Sequence, residues 1–285
     1  MTAATLNPPV PEARASAVHG RLSFDGVLRS EWIKLLSLRS IRWSILVMIV
    51  LSFGGAAMMS FALRGTDMIT PETLPSMVVQ AATFGSVFTV LIMGVLGVLA
   101  VTSEYASGLI LSSLTAVPSR TPLLVAKALV VASLSLLLGA ISVFGSGLFA
   151  ALVIGDGAID AYLQPESLLS MLGATLYLTL ASLMALGVGA RLRSSAGAIS
   201  IVVVLLFVVT IVFQLLGMTG WEWVPEVAKW MPADLGHTLS SVAMMPADAV
   251  TDGSVGYWGA LGGLAAWAAA ALVPAGILLK TRDAV

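Results

Sequence analysis

Apolar and polar positions along the chain sort into six long apolar stretches joined by short polar connections. The stretches run from Trp43 to Leu63, Ser76 to Val101, Ala128 to Ile154, Leu168 to Ala190, Ala196 to Leu216 and Tyr257 to Leu279, and none holds an ionisable residue in its interior. Each reaches the roughly 20 residues that a helix needs to cross a hydrocarbon core about 30 Å thick. Backbone groups in lipid must pair internally, which leaves helices or closed barrels. These runs are continuous rather than alternating with a period of two, so they predict helices. The expected fold is an all-α membrane protein, with a six-transmembrane-helix bundle over residues 43–285.

The connections carry further pattern. Residues 1–20 include Pro8, Pro9 and Pro11 and no periodic apolar positions, which predicts a disordered leader. Over residues 21–42, Phe24, Val27, Leu28, Trp32 and Leu35 share a helical side, while Arg29, Lys34, Arg39 and Arg42 supply positive charge. That segment reads either as an amphipathic helix on the inner leaflet or as a plain basic flank to the first span. The connection between spans two and three, Thr102 to Lys127, holds Gly108, Pro118 and Pro122, with Leu109, Ile110, Leu111 and Leu114 suited to a short one-sided helix. It is either a docking element for a partner or a loop whose Glu104 and Lys127 neutralise helix ends. Between spans five and six, Pro225 and Pro232 predict first-turn positions of two short outer helices, about Pro225 to Trp230 and Ala233 to Met244. Trp221, Trp223 and Trp230 there are interfacial anchors or an outer gate.

Composition agrees with a bilayer: 58% of residues are hydrophobic and 10% charged, against about 25% charged in soluble domains. Mean hydropathy is +1.01. The net charge of −1 hides a steep asymmetry. Arg14, Arg21, Arg29, Lys34, Arg39 and Arg42 precede span one, Arg120 and Lys127 lie between spans two and three, Arg191 and Arg193 between four and five, and Lys280 and Arg282 follow span six. Only Arg64 and Lys229 fall on the opposite side, so the positive-inside rule predicts cytoplasmic termini. Residues 1–17 lack the apolar core of a cleavable signal peptide, leaving span one to direct insertion.

The chain offers little chemistry of its own. No Gly-Lys pair precedes Ser or Thr as a phosphate-binding loop requires. The span interiors offer Gln80, Gln214 and scattered Ser and Thr, which disfavours ion coupling. Gly145-Ser146-Gly147 has no histidine at depth to serve as base, so packing explains it better than catalysis, and Gly94, Gly97, Gly187 and Gly189 have the same reading. Two separated histidines and no cysteine supply no metal-ligand cluster. No catalytic, cofactor-binding or metal site is expected, and nothing points to nucleic acid.

Short motifs in sequence order narrow the function. Ser30-Glu31-Trp32-Ile33-Lys34-Leu35 with Ser37-Leu38-Arg39-Ser40 before span one, then Thr102-Ser103-Glu104-Tyr105, Gly108, Ser113-Leu114-Thr115-Ala116-Val117-Pro118, Arg120 and Ala126-Lys127, resemble permeases of bacterial ATP-binding-cassette transporters of the type-two export (ABC-2) family. The resemblance covers nearly the whole chain. It implies a permease subunit of the bacterial plasma membrane that forms a substrate pathway with a second permease copy or homologue. A separate ATP-binding subunit would hold ATP and Mg²⁺. It makes Glu104, Tyr105, Gly108, Pro118 and Arg120 candidates for coupling to that ATPase, and Glu31, Lys34 and Arg39 candidates in the N-terminal amphipathic helix. A non-transporting membrane scaffold or immunity factor, or an ion-coupled secondary carrier, are the competing readings.

Overall fold

Each of the six apolar stretches forms a helix in the computed structural model, which describes residues 23–64, 66, 69–109, 120–244 and 255–281. The helices are α1 (Phe24–Ser37), α2 (Arg39–Leu63), α3 (Leu74–Thr83), α4 (Ser86–Ala106), α5 (Arg120–Ile154), α6 (Ala158–Tyr162), α7 (Pro165–Leu192), α8 (Ser195–Gly217), α9 (Trp223–Ala228), α10 (Pro232–Ser240) and α11 (Tyr257–Thr281). The chain is a six-span helical membrane protein, the second crossing being shared by α3 and α4. The 1–20 leader, Ile110, Leu111, Leu114 and Pro118 lie outside the described residues.

α7 is the axle of the bundle. In its apolar window 72% of residues are buried, against 11% in α8, because α4, α5, α10 and α11 all pack on it. Small residues permit that closeness. A Cβ on Gly97 of α4 would collide with the Ser182 carbonyl of α7, and one on Gly187 would lie 2.5 Å from the Ala271 carbonyl carbon of α11. Polar side chains add specific links: Ser135 and Ser182 hydroxyls meet at 2.7 Å, and Ser146 donates to the Ala82 carbonyl at 2.9 Å. The Gly-Ser-Gly run is thus a packing element, with its serine hydroxyl engaged by backbone.

Two irregularities depart from the sequence expectation of uninterrupted spans. The second breaks at Phe84–Gly85, where the backbone presses on α2 so closely that a Cβ on Gly85 would sit 2.8 Å from the Leu51 oxygen. The fifth contains a π-helical stretch, Val204–Val208. Both border a common cavity, and π-helical turns such as that of the fifth span recur at functional sites.

The N-terminal segment is a helix, capped by the Ser23 hydroxyl, which accepts from the Gly26 N–H at 3.2 Å. Its apolar side turns inward: Val27 packs on Leu123 and Ala126 of α5. At 35 residues α5 is about 50 Å long, beyond the roughly 30 Å hydrocarbon core, and its extra turns provide this surface. Phe24, grouped with the apolar side from spacing, is 43% exposed, whereas Glu31 is buried on that side. The two short helices after span five form as Trp223–Ala228 and Pro232–Ser240, each with its proline in the first turn.

Candidate functional site

Four charged side chains from three elements meet where α1 crosses the bundle. Lys127, in the second turn of α5, uses all three ammonium protons: on Glu31 Oε2 at 2.5 Å, Glu104 Oε1 at 2.9 Å and the Ala100 carbonyl at 3.0 Å. Lys34 bridges the same carboxylates, reaching Glu31 Oε1 at 2.7 Å and Glu104 Oε1 at 3.3 Å. Glu31, Glu104 and Lys127 are buried, while Lys34 reaches towards solvent. Two positive and two negative groups make a neutral quartet. That balance permits burial, since an unpaired charge there would cost several kcal/mol, on the order of 3–5. Burial of Lys34, the largest influence, pulls its pKa down, but its bonds and charges with Glu31 and Glu104 outweigh this and hold it above 10.5.

One oxygen is left over. Glu104 Oε2 is buried without a hydrogen-bond partner, and Glu104 borders a cavity of about 200 Å³ whose wall includes Ser103, Ser107 and Leu109. The neighbouring end of α4 is tied to the turn between α7 and α8. The Arg193 guanidinium lies 5.4 Å from the centre of the Tyr105 ring, and the Ser195 hydroxyl donates to Thr102 Oγ1 at 2.8 Å. Gly108 closes α4 with φ +71°, the left-handed conformation that glycine adopts most readily after a helix.

A family model described as ABC-2 family transporter protein matches residues 27–212, nearly two thirds of the chain and the whole stretch from α1 to most of α8. The chain belongs to the ABC-2 family of transporter proteins. No curated protein matches it in a search of such proteins. As an ABC-2 permease it is the membrane component of a transporter, and the quartet lies at the joint between its α1 and the two helices flanking the 107–119 connection.

The sequence candidates scatter over this ABC-2 permease unequally. Glu31, Lys34 and Glu104 converge in the quartet, and Tyr105 and Gly108 complete the adjoining helix end. Arg39 is exposed at the start of α2, away from the quartet, and Arg120 is described only as the first residue of α5. Lys127, read from sequence as neutralising a helix end, proves to be the centre of the network. Its signal was a single charge among Leu123, Leu124, Val125, Val130 and Val131, which in a membrane helix points to a buried partner.

At the opposite end, Trp221 and Trp223 stack with ring centres 5.9 Å apart, and the Trp230 carbonyl accepts from the indole N–H of Trp267 at 2.9 Å. None of the three lines the larger cavity of this end, about 530 Å³, which lies between α3, α4, α7, α8 and α10. Its polar wall includes Gln80 and Thr83 of α3, Thr210 and Gln214 of α8, and Asp234 and His237 of α10. Asp234 and His237, one turn apart, escaped notice because the sequence gives no sign that α10 folds back onto the spans. Gly236 makes that return possible, since a Cβ there would lie 2.5 Å from the Tyr177 ring.

Proposed function

We propose that the chain is the permease subunit of an ATP-driven exporter in the bacterial plasma membrane, with both termini cytoplasmic. It works with a second permease copy or homologue and with a separate ATP-binding subunit that carries ATP and Mg²⁺. The observation that carries the reading is the largely buried Glu31–Lys34–Glu104–Lys127 quartet. It fastens α1 to the cytoplasmic ends of α4 and α5, so a push on α1 or on the connection between those helices moves both spans together. In a low-dielectric setting such a joint is stiff, because sliding any member strands a partner's charge. The basic flanks concentrate on the same end, in accord with the proposed sidedness. The cavity at the far end, between the broken second span and the π-helical stretch of the fifth, is the proposed outer part of the substrate pathway.

Purification of the tagged chain from native membranes in mild detergent tests the reading. A stoichiometric partner that hydrolyses ATP is expected. A clean preparation without one, under conditions that preserve other pump complexes, overturns it and turns attention to a scaffold or carrier.

A further inference from the structure

The cavity at the α10 end has a chemical bias. Asp234 sits in the first turn of α10, half-buried on the cavity wall, and makes no ion pair among the described residues. Burial pushes its carboxyl above the usual aspartate range, against the opposing influences of His237 and its own backbone N–H. The polar groups that share the cavity with it are uncharged or weakly basic, among them Tyr177 from α7, Gln80 from α3, Gln214 from α8, and His237 one turn along its own helix. Among the described residues, no lysine or arginine lines the cavity. The wall also carries aromatic residues, with Phe84 and Phe88 at the break in the second span and Phe207 in the π-helical stretch. A volume of about 530 Å³ falls within the 300–1,000 Å³ typical of small-molecule sites.

We propose that this cavity binds an amphipathic organic cation, its charged nitrogen against the Asp234 carboxylate and its apolar body against the phenylalanines. The occupant's role as cargo rests on the permease reading, whereas its binding does not. An anionic group at the edge of a low-dielectric cavity, whose basic neighbour on the described wall is the exposed, weakly basic His237, gains most from a cation that brings its own apolar cover. Aromatic faces add attraction to the same charge. Glutamine and threonine side chains serve a hydroxyl or amine on the ligand without neutralising it. An anion would meet the Asp234 charge with no lysine or arginine on the described wall to offset it.

The test uses the full chain in nanodiscs of zwitterionic lipid, without nucleotide, with rhodamine 6G as a cationic probe and an uncharged BODIPY dye of similar size as comparison, both read by fluorescence anisotropy. Saturable binding of rhodamine 6G is expected. Asp234→Asn should weaken it at least tenfold while leaving the uncharged dye within twofold. Asp160→Asn, which removes an equal charge at an exposed site on α6, should change neither. Absence of saturable rhodamine binding, equal weakening of both dyes, or indifference to Asp234→Asn overturns the proposal. Because no ATPase enters this measurement, loss of the cation site and loss of the permease reading are separate results.

Discussion

At the scale of single residues, Lys127 has the largest expected effect. Lys127→Met leaves Glu31 and Glu104 short of a counter-charge in a buried setting, and a loss of about 3–5 kcal/mol is expected. Thermal unfolding in detergent reads this directly. Because well-packed apolar residues often replace a buried ion pair at little cost, Glu31→Met combined with Lys127→Met should recover more than half of the loss and keep the remaining Lys34–Glu104 pair neutral. No recovery would mean that the quartet is held by packing rather than by charge balance. Lys34 has a distinct pH signature. Its folded pKa stands above the ordinary 10.5, so its stabilisation is complete below about pH 10.5 and is lost as pH rises through the higher folded value. Thermal stability should therefore drop at strongly alkaline pH more steeply in the parent protein than in Lys34→Met, and remain insensitive to this group near neutrality.

Among elements, the approach of α4 to α7 leaves very little tolerance. Gly97→Val places a branched side chain against the Ser182 carbonyl, and a cost of about 3 kcal/mol or more is expected, with reduced recovery of folded protein in size-exclusion chromatography. Gly262→Val on α11, where nothing lies within 4 Å of the added carbon, should be recovered at parent levels. Equal behaviour of the two variants would remove close packing as the reason for glycine at position 97. Elements also show where sequence reading stops. Six spans were legible because twenty apolar residues in lipid have one stable backbone solution, and the observed ends fall within a few residues of the apolar runs, extending by up to about two turns at α5. The break at Gly85 and the π-helical stretch at Val204–Val208 were not, since both sit inside long apolar runs, and at Gly85 the break accompanies a close approach of α2 that only the folded chain reveals.

For the whole molecule, sidedness is open to a direct check because the chain contains no cysteine. A cysteine introduced at Ser37, at the α1 end, should react with a membrane-impermeant maleimide only after cells are opened. One at Thr219, at the α10 end, should react in intact cells. The reverse pattern would invert the proposed direction and place the quartet away from any cytoplasmic ATPase. The two ends are chemically distinct: a charge-balanced network at one, and at the other a cavity walled by Asp234, His237 and aromatic side chains and bordered by interrupted helices. That division suits a subunit that receives force at one face and handles a ligand at the other.

The linear pattern by itself determined that this protein spans a bilayer six times, carries a helix ahead of the first span and gathers most of its basic residues into the connections of one side, because hydropathy, length and charge placement are properties of local sequence. It also pointed to Glu31, Lys34 and Glu104, through short motifs. The tertiary structure alone decided that these join Lys127 in one buried network, and that Asp234 and His237 return to the spans to wall a cavity. Those outcomes depend on contacts between residues tens of positions apart, such as Glu31 with Lys127, 96 positions apart. Helix crossing geometry and close glycine contacts set such meetings, and no local pattern encodes them.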